Sequence, residues 1–223
     1  MRAAGLLLLA AGAILAQSAG EETLEYSVNW PSGLSLGEAR LEAKRAGARW
    51  QLEFTLEAAL PGFAVKDRYQ SIVTEKWCSL EFEKQFAHAQ RNGHERTSFD
   101  PARPVATRET LGGGGKSELA TPACPKDALA YLYWLRRELG QGRLPAPQTV
   151  YFGAAYQIRL EYGGTQSIRL GEERIQADRL VAAVKGPVAE LKFEVFFARD
   201  AGRTVLLARA PFATGIFSME LVR

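Results

Sequence analysis

Apolar residues recur at every second position through most of this chain. Leu24, Tyr26, Val28 and Trp30 alternate with Glu25, Ser27 and Asn29, and Trp50, Leu52, Phe54, Leu56 and Ala58 alternate with Gln51, Glu53, Thr55 and Glu57. Tyr156, Ile158, Leu160 and Tyr162, and later Leu191, Phe193, Val195 and Phe197, repeat the pattern. A period of two gives a strand one apolar and one wet face, whereas a helix would scatter the same residues around its surface. Turn chemistry separates the runs at Ala46-Gly47, Pro61-Gly62, Asn92-Gly93, Gly163-Gly164, Lys185-Gly186-Pro187 and Asp200-Ala201-Gly202. Connections this short predict antiparallel neighbours. Between Leu34 and Ala43 the apolar phase changes at Gly37, which predicts a bulge. About a dozen strands cannot stay flat without exposing long edges, so the expected fold is all-β, mainly antiparallel, curled into a barrel-like or half-barrel sheet.

One segment breaks the period. Pro125 to Gly140 opens on proline, carries Ala128 to Leu135 as a dense apolar run, and closes on Arg136, Arg137 and Gly140. These are helix start and stop signals. Its middle, with Tyr131 and Trp134, is apolar nearly all round, so the helix is expected to be buried across the barrel opening or along its concave face.

Arg2 followed by the run from Gly5 to Ala16, with small residues at Ser18 and Ala19, reads as a secretory leader over residues 1–19. Cleavage is expected after Ala16 or Ala19, leaving residues 20–223 as a single domain in the periplasm or outside the cell. About a dozen apolar residues are too few to span a bilayer. Without the leader, Lys plus Arg is 28 − 1 = 27 against 25 Asp plus Glu. That balance, with no basic block, argues against nucleic acid as a partner. The wet faces carry too much charge to line lipid, which argues against an outer-membrane barrel. Cys78 and Cys124 are the two cysteines, and an oxidising compartment favours a disulfide between them.

No catalytic signature emerges. Leu111 to Ser117 resembles a phosphate-binding loop, but Thr110 stands where its first glycine is required, and Pro122 and Pro125 interrupt the helix it would need. His88 and His94 lack partners at metal-ligand spacing, no strained serine elbow exists, and no cofactor is implied. The informative anomaly is polar residues in apolar phase: Asp67, Tyr69 and Glu75 in one strand, Lys84 and His88 in the next. With Cys78-Ser79 as the hairpin turn, Tyr69 faces His88, Asp67 lies diagonal to His88, and Glu75 lies diagonal to Lys84. Charges on the inner face mark a candidate ligand-binding site, formed by Asp67, Tyr69, Glu75, Lys84, His88, Tyr131 and Trp134.

The ordered set of segments resembles an exported bacterial family, domain of unknown function 3108. The residues that carry it are Leu24 to Trp30, Phe63 to Tyr69, the helix Asp127 to Arg136, and Phe196 to Asp200 through Gly215 to Phe217. The resemblance implies an antiparallel, barrel-like envelope protein and brings no activity with it. Noncatalytic binding of an amphiphilic or envelope-derived ligand is the leading functional expectation. A structural or assembly factor contacting another envelope protein is second, and a hydrolase-like enzyme using Asp67 and His88 is third.

Overall fold

A computed structural model describes residues 21–60, 62–187, 190–212 and 215–222, so the expected leader lies outside the described residues. The first half is a meander of eight strands: β1 (Glu22–Asn29), β2 (Ser35–Ala46), β3 (Arg49–Leu60), β4 (Phe63–Thr74), β5 (Ser79–His88), β6 (Arg91–Phe99), β7 (Val105–Thr110) and β8 (Lys116–Ala120). The second half opens with β9 (Lys126–Asp127), α1 (Ala128–Gly140) and β10 (Gln148–Tyr151). It continues through β11 (Ala155–Leu170), β12 (Glu173–Lys185), β13 (Glu190–Ala198), β14 (Val205–Phe212) and β15 (Gly215–Leu221). β15 pairs with β1, joining both halves into one fifteen-stranded sheet with β8 and β9 at its edges. Among the described strands only β9 and β10, which flank the helix, pair in parallel.

The chain dictates the curl. Fifteen flat strands would span roughly 65 Å at the usual interstrand spacing, yet residues 121–125 must carry the chain from the β8 edge to the β9 edge, a reach of about 20 Å. The sheet therefore rolls up until β9 lies against β5. Ser79 N donates to Pro125 O at 2.8 Å, and the Tyr151 hydroxyl donates to Ala120 O at 2.8 Å across this seam. Cys78, in the β4–β5 turn, is disulfide-bonded to Cys124 of the crossing segment.

The helix begins at Ala128, three residues later than the proline suggested, because Asp127 caps it and Lys126 is taken into a strand. Asp127 Oδ1 accepts from Leu129 N and Ala130 N at 2.9 and 3.0 Å. From there α1 crosses one end of the barrel. Near its far end Arg136 pairs with Glu22 of β1 and donates to Gly202 O and Arg203 O at 2.9 and 3.1 Å. Tyr133 stacks on Trp77 at 5.3 Å, and Trp77 on Trp50 at 5.5 Å, so that this end is closed by side chains.

Local differences from the sequence expectation have local causes. The β5–β6 turn is Ala89-Gln90, not Asn92-Gly93, which lies within β6 just after Arg91. A Cβ at Gly93 would fall 2.5 Å from the Phe86 ring, so that glycine serves close packing. Gly163-Gly164 is an irregularity within β11, and not a turn. Past it, Ile168 and Leu170 join Phe196 and Leu206 in a second, smaller core on the opposite face of the sheet. The bulge expected at Gly37 is present: the β1–β2 register shifts there, and a Cβ at Gly37 would strike Glu57 O.

Candidate ligand-binding site

The β4–β5 hairpin sets the site. Its turn is Glu75–Cys78, closed by Trp77 N donating to Thr74 O at 2.9 Å and Thr74 N donating to Cys78 O at 2.9 Å, with Trp77 at φ 62°. This turn is wider than the expected Cys78-Ser79, and β5 carries one extra residue, Leu80, opposite the step from Ile72 to Val73. Tyr69 therefore faces Lys84 instead of His88, a slide of 88 − 84 = 4 residues. An even slide preserves the faces of both strands. Asp67, directly opposite Phe86, lies diagonal to His88 in the observed register, and His88 Nε2 donates to Asp67 Oδ1 at 2.7 Å.

Glu75 does not join this group. It sits in the turn, exposed to solvent, and pairs with Arg45 at the rim of the helix end. Lys84 instead pairs with Glu95 of β6 at 3.2 Å, and Arg108 of β7 reaches the same carboxylate at 2.6 Å. Burial raises the Glu95 pKa, but hydrogen bonds and charge from Arg108 and Lys84 outweigh it and hold the carboxyl below its usual value. The β10–β11 turn covers the group. Phe152 packs edge-on against Tyr69 at 4.9 Å and beside Phe82 at 5.6 Å, with Lys84 Nζ 5.0 Å from its ring. Gly153, at φ 73°, lets the turn approach: a Cβ there would lie 2.7 Å from Glu95 Oε2. Burial, then the neighbouring Asp67 charge, drives the Tyr69 phenol well above its ordinary pKa.

Tyr131 and Trp134 belong to a different cluster, on α1. Their rings lie 5.7 Å apart, Lys126 Nζ sits 4.6 Å over Trp134, and burial lowers the Lys126 pKa. No ring contact connects them with Tyr69 among the described residues. The site thus gathers Asp67, Tyr69, Lys84 and His88, leaves out Glu75, Tyr131 and Trp134, and adds Glu95, Arg108 and Phe152. Glu95, Thr97 and Phe99 share one phase in β6, which is the sequence signal for the first of these. Phe152 sits in a turn and has none.

The interior changes along its length. On β13, Phe197 is fully buried, Val195 and Phe193 are half-buried, and Leu191 is 41% exposed. On β5, Phe82 is fully buried, while Lys84, Phe86 and His88 are half-buried. β6 repeats this from Phe99 to Gly93. β4 departs from it, keeping Asp67 and Val65 buried. The inner face is packed shut at the helix end and opens toward the other.

The outer face has a concavity of about 710 Å³ crossing β3 to β7, lined by Thr55, Lys66, Arg68, Gln85 and His94 among others. Arg68 donates to Glu53 at 2.9 and 3.0 Å, and this hydrogen bond chiefly lowers the Glu53 pKa. His94 is engaged with Glu83. No group of three or more His, Cys, Asp or Glu is placed to hold a metal among the described residues. No helix among them is long and apolar enough to cross a membrane.

The fold is similar to a solved structure titled a beta-barrel-like protein of domain of unknown function DUF1849 from Brucella abortus. The two share 8% sequence identity at a TM-score of 0.62, over 92% of this chain and 96% of the other. At that identity the likeness is one of fold. No protein with a curated description matches the chain. The family described as "Protein of unknown function (DUF3108)" matches residues 25–222, the whole sheet but for the first residues of β1, and the chain belongs to it.

Proposed function

We propose that this protein is exported to the cell envelope and binds an amphiphilic ligand without catalysis, in the half of the barrel farthest from the helix. The observation that carries this reading is the loss of burial along the inner face from Phe197 to Leu191 and from Phe82 to His88, with charged pairs on the same face. An apolar wall interrupted by a few fixed polar groups suits a molecule with an acyl or ring body and a polar head. Phe193, Val195 and Tyr69 would meet the body. Lys84, Arg108 and His88 would meet the head, each already oriented by a carboxylate.

Mass spectrometry of extracts from gently purified protein tests the proposal. The expected result is an apolar-chain compound in the wild type that Phe193→Glu loses while the melting midpoint holds. A clean wild-type extract would sink it. A second reading, an assembly factor whose interior is only core, is favoured by the Trp50–Trp77–Tyr133 stack that fills the helix end. It expects clean extracts and a large loss of stability on changing Phe193.

A further inference from the structure

In an antiparallel meander the connections fall alternately at the two ends of the barrel, and the two ends differ in chemistry. At the end away from α1 lie residues 30–34, Gly62, Ala89-Gln90, 111–115, 152–154 and Gly186-Pro187. None of these contains an Asp, Glu, Lys or Arg. The connections at the helix end hold Glu75, Asp100, Arg103, Arg143, Asp200 and Arg203, among others. Leu34 at the uncharged end is 66% exposed and Ile216 is 56% exposed. They flank Trp30, whose ring meets Phe217 edge-on at 4.8 Å, and Pro31, which packs against Gly215. Residues 30–34 and the start of β15 thus present one aliphatic and aromatic patch on the rim of the open end.

From this we infer that the open end docks on the surface of a lipid bilayer, with Leu34 and Ile216 entering the acyl boundary and Trp30 at headgroup level. The inference rests on the ligand-binding reading and supplies its partner: a barrel that takes up an amphiphile must present its opening to the phase where amphiphiles reside. Exposed aliphatic side chains on uncharged loops gain free energy by leaving water, and tryptophan favours the interface. Behind the rim Lys66 pairs with Glu57 at 3.1 Å and Lys116 with Glu109 at 3.2 Å, and Lys185 lies opposite Glu190 in the β12–β13 register. Docking is therefore apolar in origin and depends little on salt.

Flotation with vesicles of phosphatidylethanolamine and phosphatidylglycerol tests this. The sample is processed protein recovered from a host periplasm, so that a leader cannot bind the vesicles itself. Wild type should float in both low and high salt. L34E combined with I216E should reduce the bound fraction about tenfold or more, since each change forfeits most of an aliphatic side chain's transfer free energy. Leu144→Glu, an exposed apolar residue at the helix end, should float like wild type, with unaltered melting curves for all three proteins. Absence of wild-type flotation, equal flotation of the double variant, or loss of flotation in high salt overturns the inference. So does concentration-dependent dimerisation, abolished by the double variant, in protein that does not float; that assigns the patch to a second copy of this chain. Extracts analysed in parallel keep the two proposals apart: flotation with clean extracts refutes the ligand and retains docking, and ligand without flotation does the reverse.

Discussion

Ser79 and Asp127 exchange two hydrogen bonds across the seam of the barrel: the Ser79 hydroxyl donates to Asp127 Oδ2 at 2.6 Å, and Asp127 N donates to Ser79 Oγ at 2.7 Å. The Ser71 hydroxyl donates to the same carboxylate oxygen at 2.5 Å, and Asp127 is 0% exposed. Burial pushes the carboxyl pKa up against the pull of these donors. One side chain therefore caps the helix and ties it to β4 and β5.

Replacing that side chain removes a cap and strands two hydroxyls and two helix amides. Asp127→Ala should cost about 3 kcal/mol or more in urea denaturation, combining a lost cap with buried unpaired donors. Ser79→Ala should cost about 1 to 3 kcal/mol. A loss below about 0.5 kcal/mol for Asp127→Ala would mean that the seam contributes little to stability.

The disulfide closes a loop with a sequence separation of 46. In the loop-entropy account a bridge of that span stabilises by about 4 kcal/mol. Unfolded, unreduced protein should take up no thiol label, and the Cys78→Ser, Cys124→Ser double variant should unfold at clearly lower urea. Labelling at both positions would refute the bridge.

Acid should weaken the outer and inner ion-pair ladders together. Glu53, Glu83, Glu95 and Asp178 all have folded pKa values below their ordinary ones. Arg68 lowers Glu53 first of all, whereas Glu83, Glu95 and Asp178 are lowered by His94 and Arg96, by Arg108 and Lys84, and by Arg203 respectively, each against the raising effect of burial. A depressed carboxylate contributes stability above its unfolded pKa, about 4, and that stability is lost as pH falls through the lower folded value. Asp127, whose carboxyl pKa burial raises, contributes with the opposite sign, so the measurement is made in Asp127→Asn, where the melting temperature should be flat above about pH 5 and fall below about pH 4. A midpoint that rises on acidification would contradict these assignments.

Gly153→Ala tests the turn over Lys84 and Glu95. The residue holds φ at 73°, and the new methyl would press on a carboxylate fixed by two cations. The expected cost is about 1 to 2 kcal/mol. Enhanced amide exchange in residues 152–154 should accompany it.

How much of this was legible in the sequence differs by element. Alternation identified the inner face along β3, in β11 as far as Tyr162 and in β13 as far as Val195; beyond these points Ile168, Leu170 and Phe196 make the opposite face apolar too. The Asp67–His88 diagonal emerged from a register four residues in error, since an even slip keeps faces and, here, restored the same diagonal. Glu75 was misplaced because a tryptophan at positive φ is not a turn residue that propensity suggests, and its position is held by the neighbouring disulfide and ring stacking. Arg108 and Phe152 were invisible for a different reason. β7 is polar at its last four positions, Thr107 to Thr110, and the packing of a turn against strands far away in sequence leaves no periodic trace.

The segment 121–125 has a topological consequence. Since β1 and β15 are zipped together, the barrel's discontinuity falls in mid-sequence, not at the termini. A protease that cut between Pro122 and Ala123 would sever no strand. Cys78 would remain with the amino-terminal fragment and Cys124 with the carboxy-terminal one, so the pieces would stay covalently joined until reduced. Each fragment alone would bear two raw sheet edges, and recombining them would restore every ladder that the intact chain possesses.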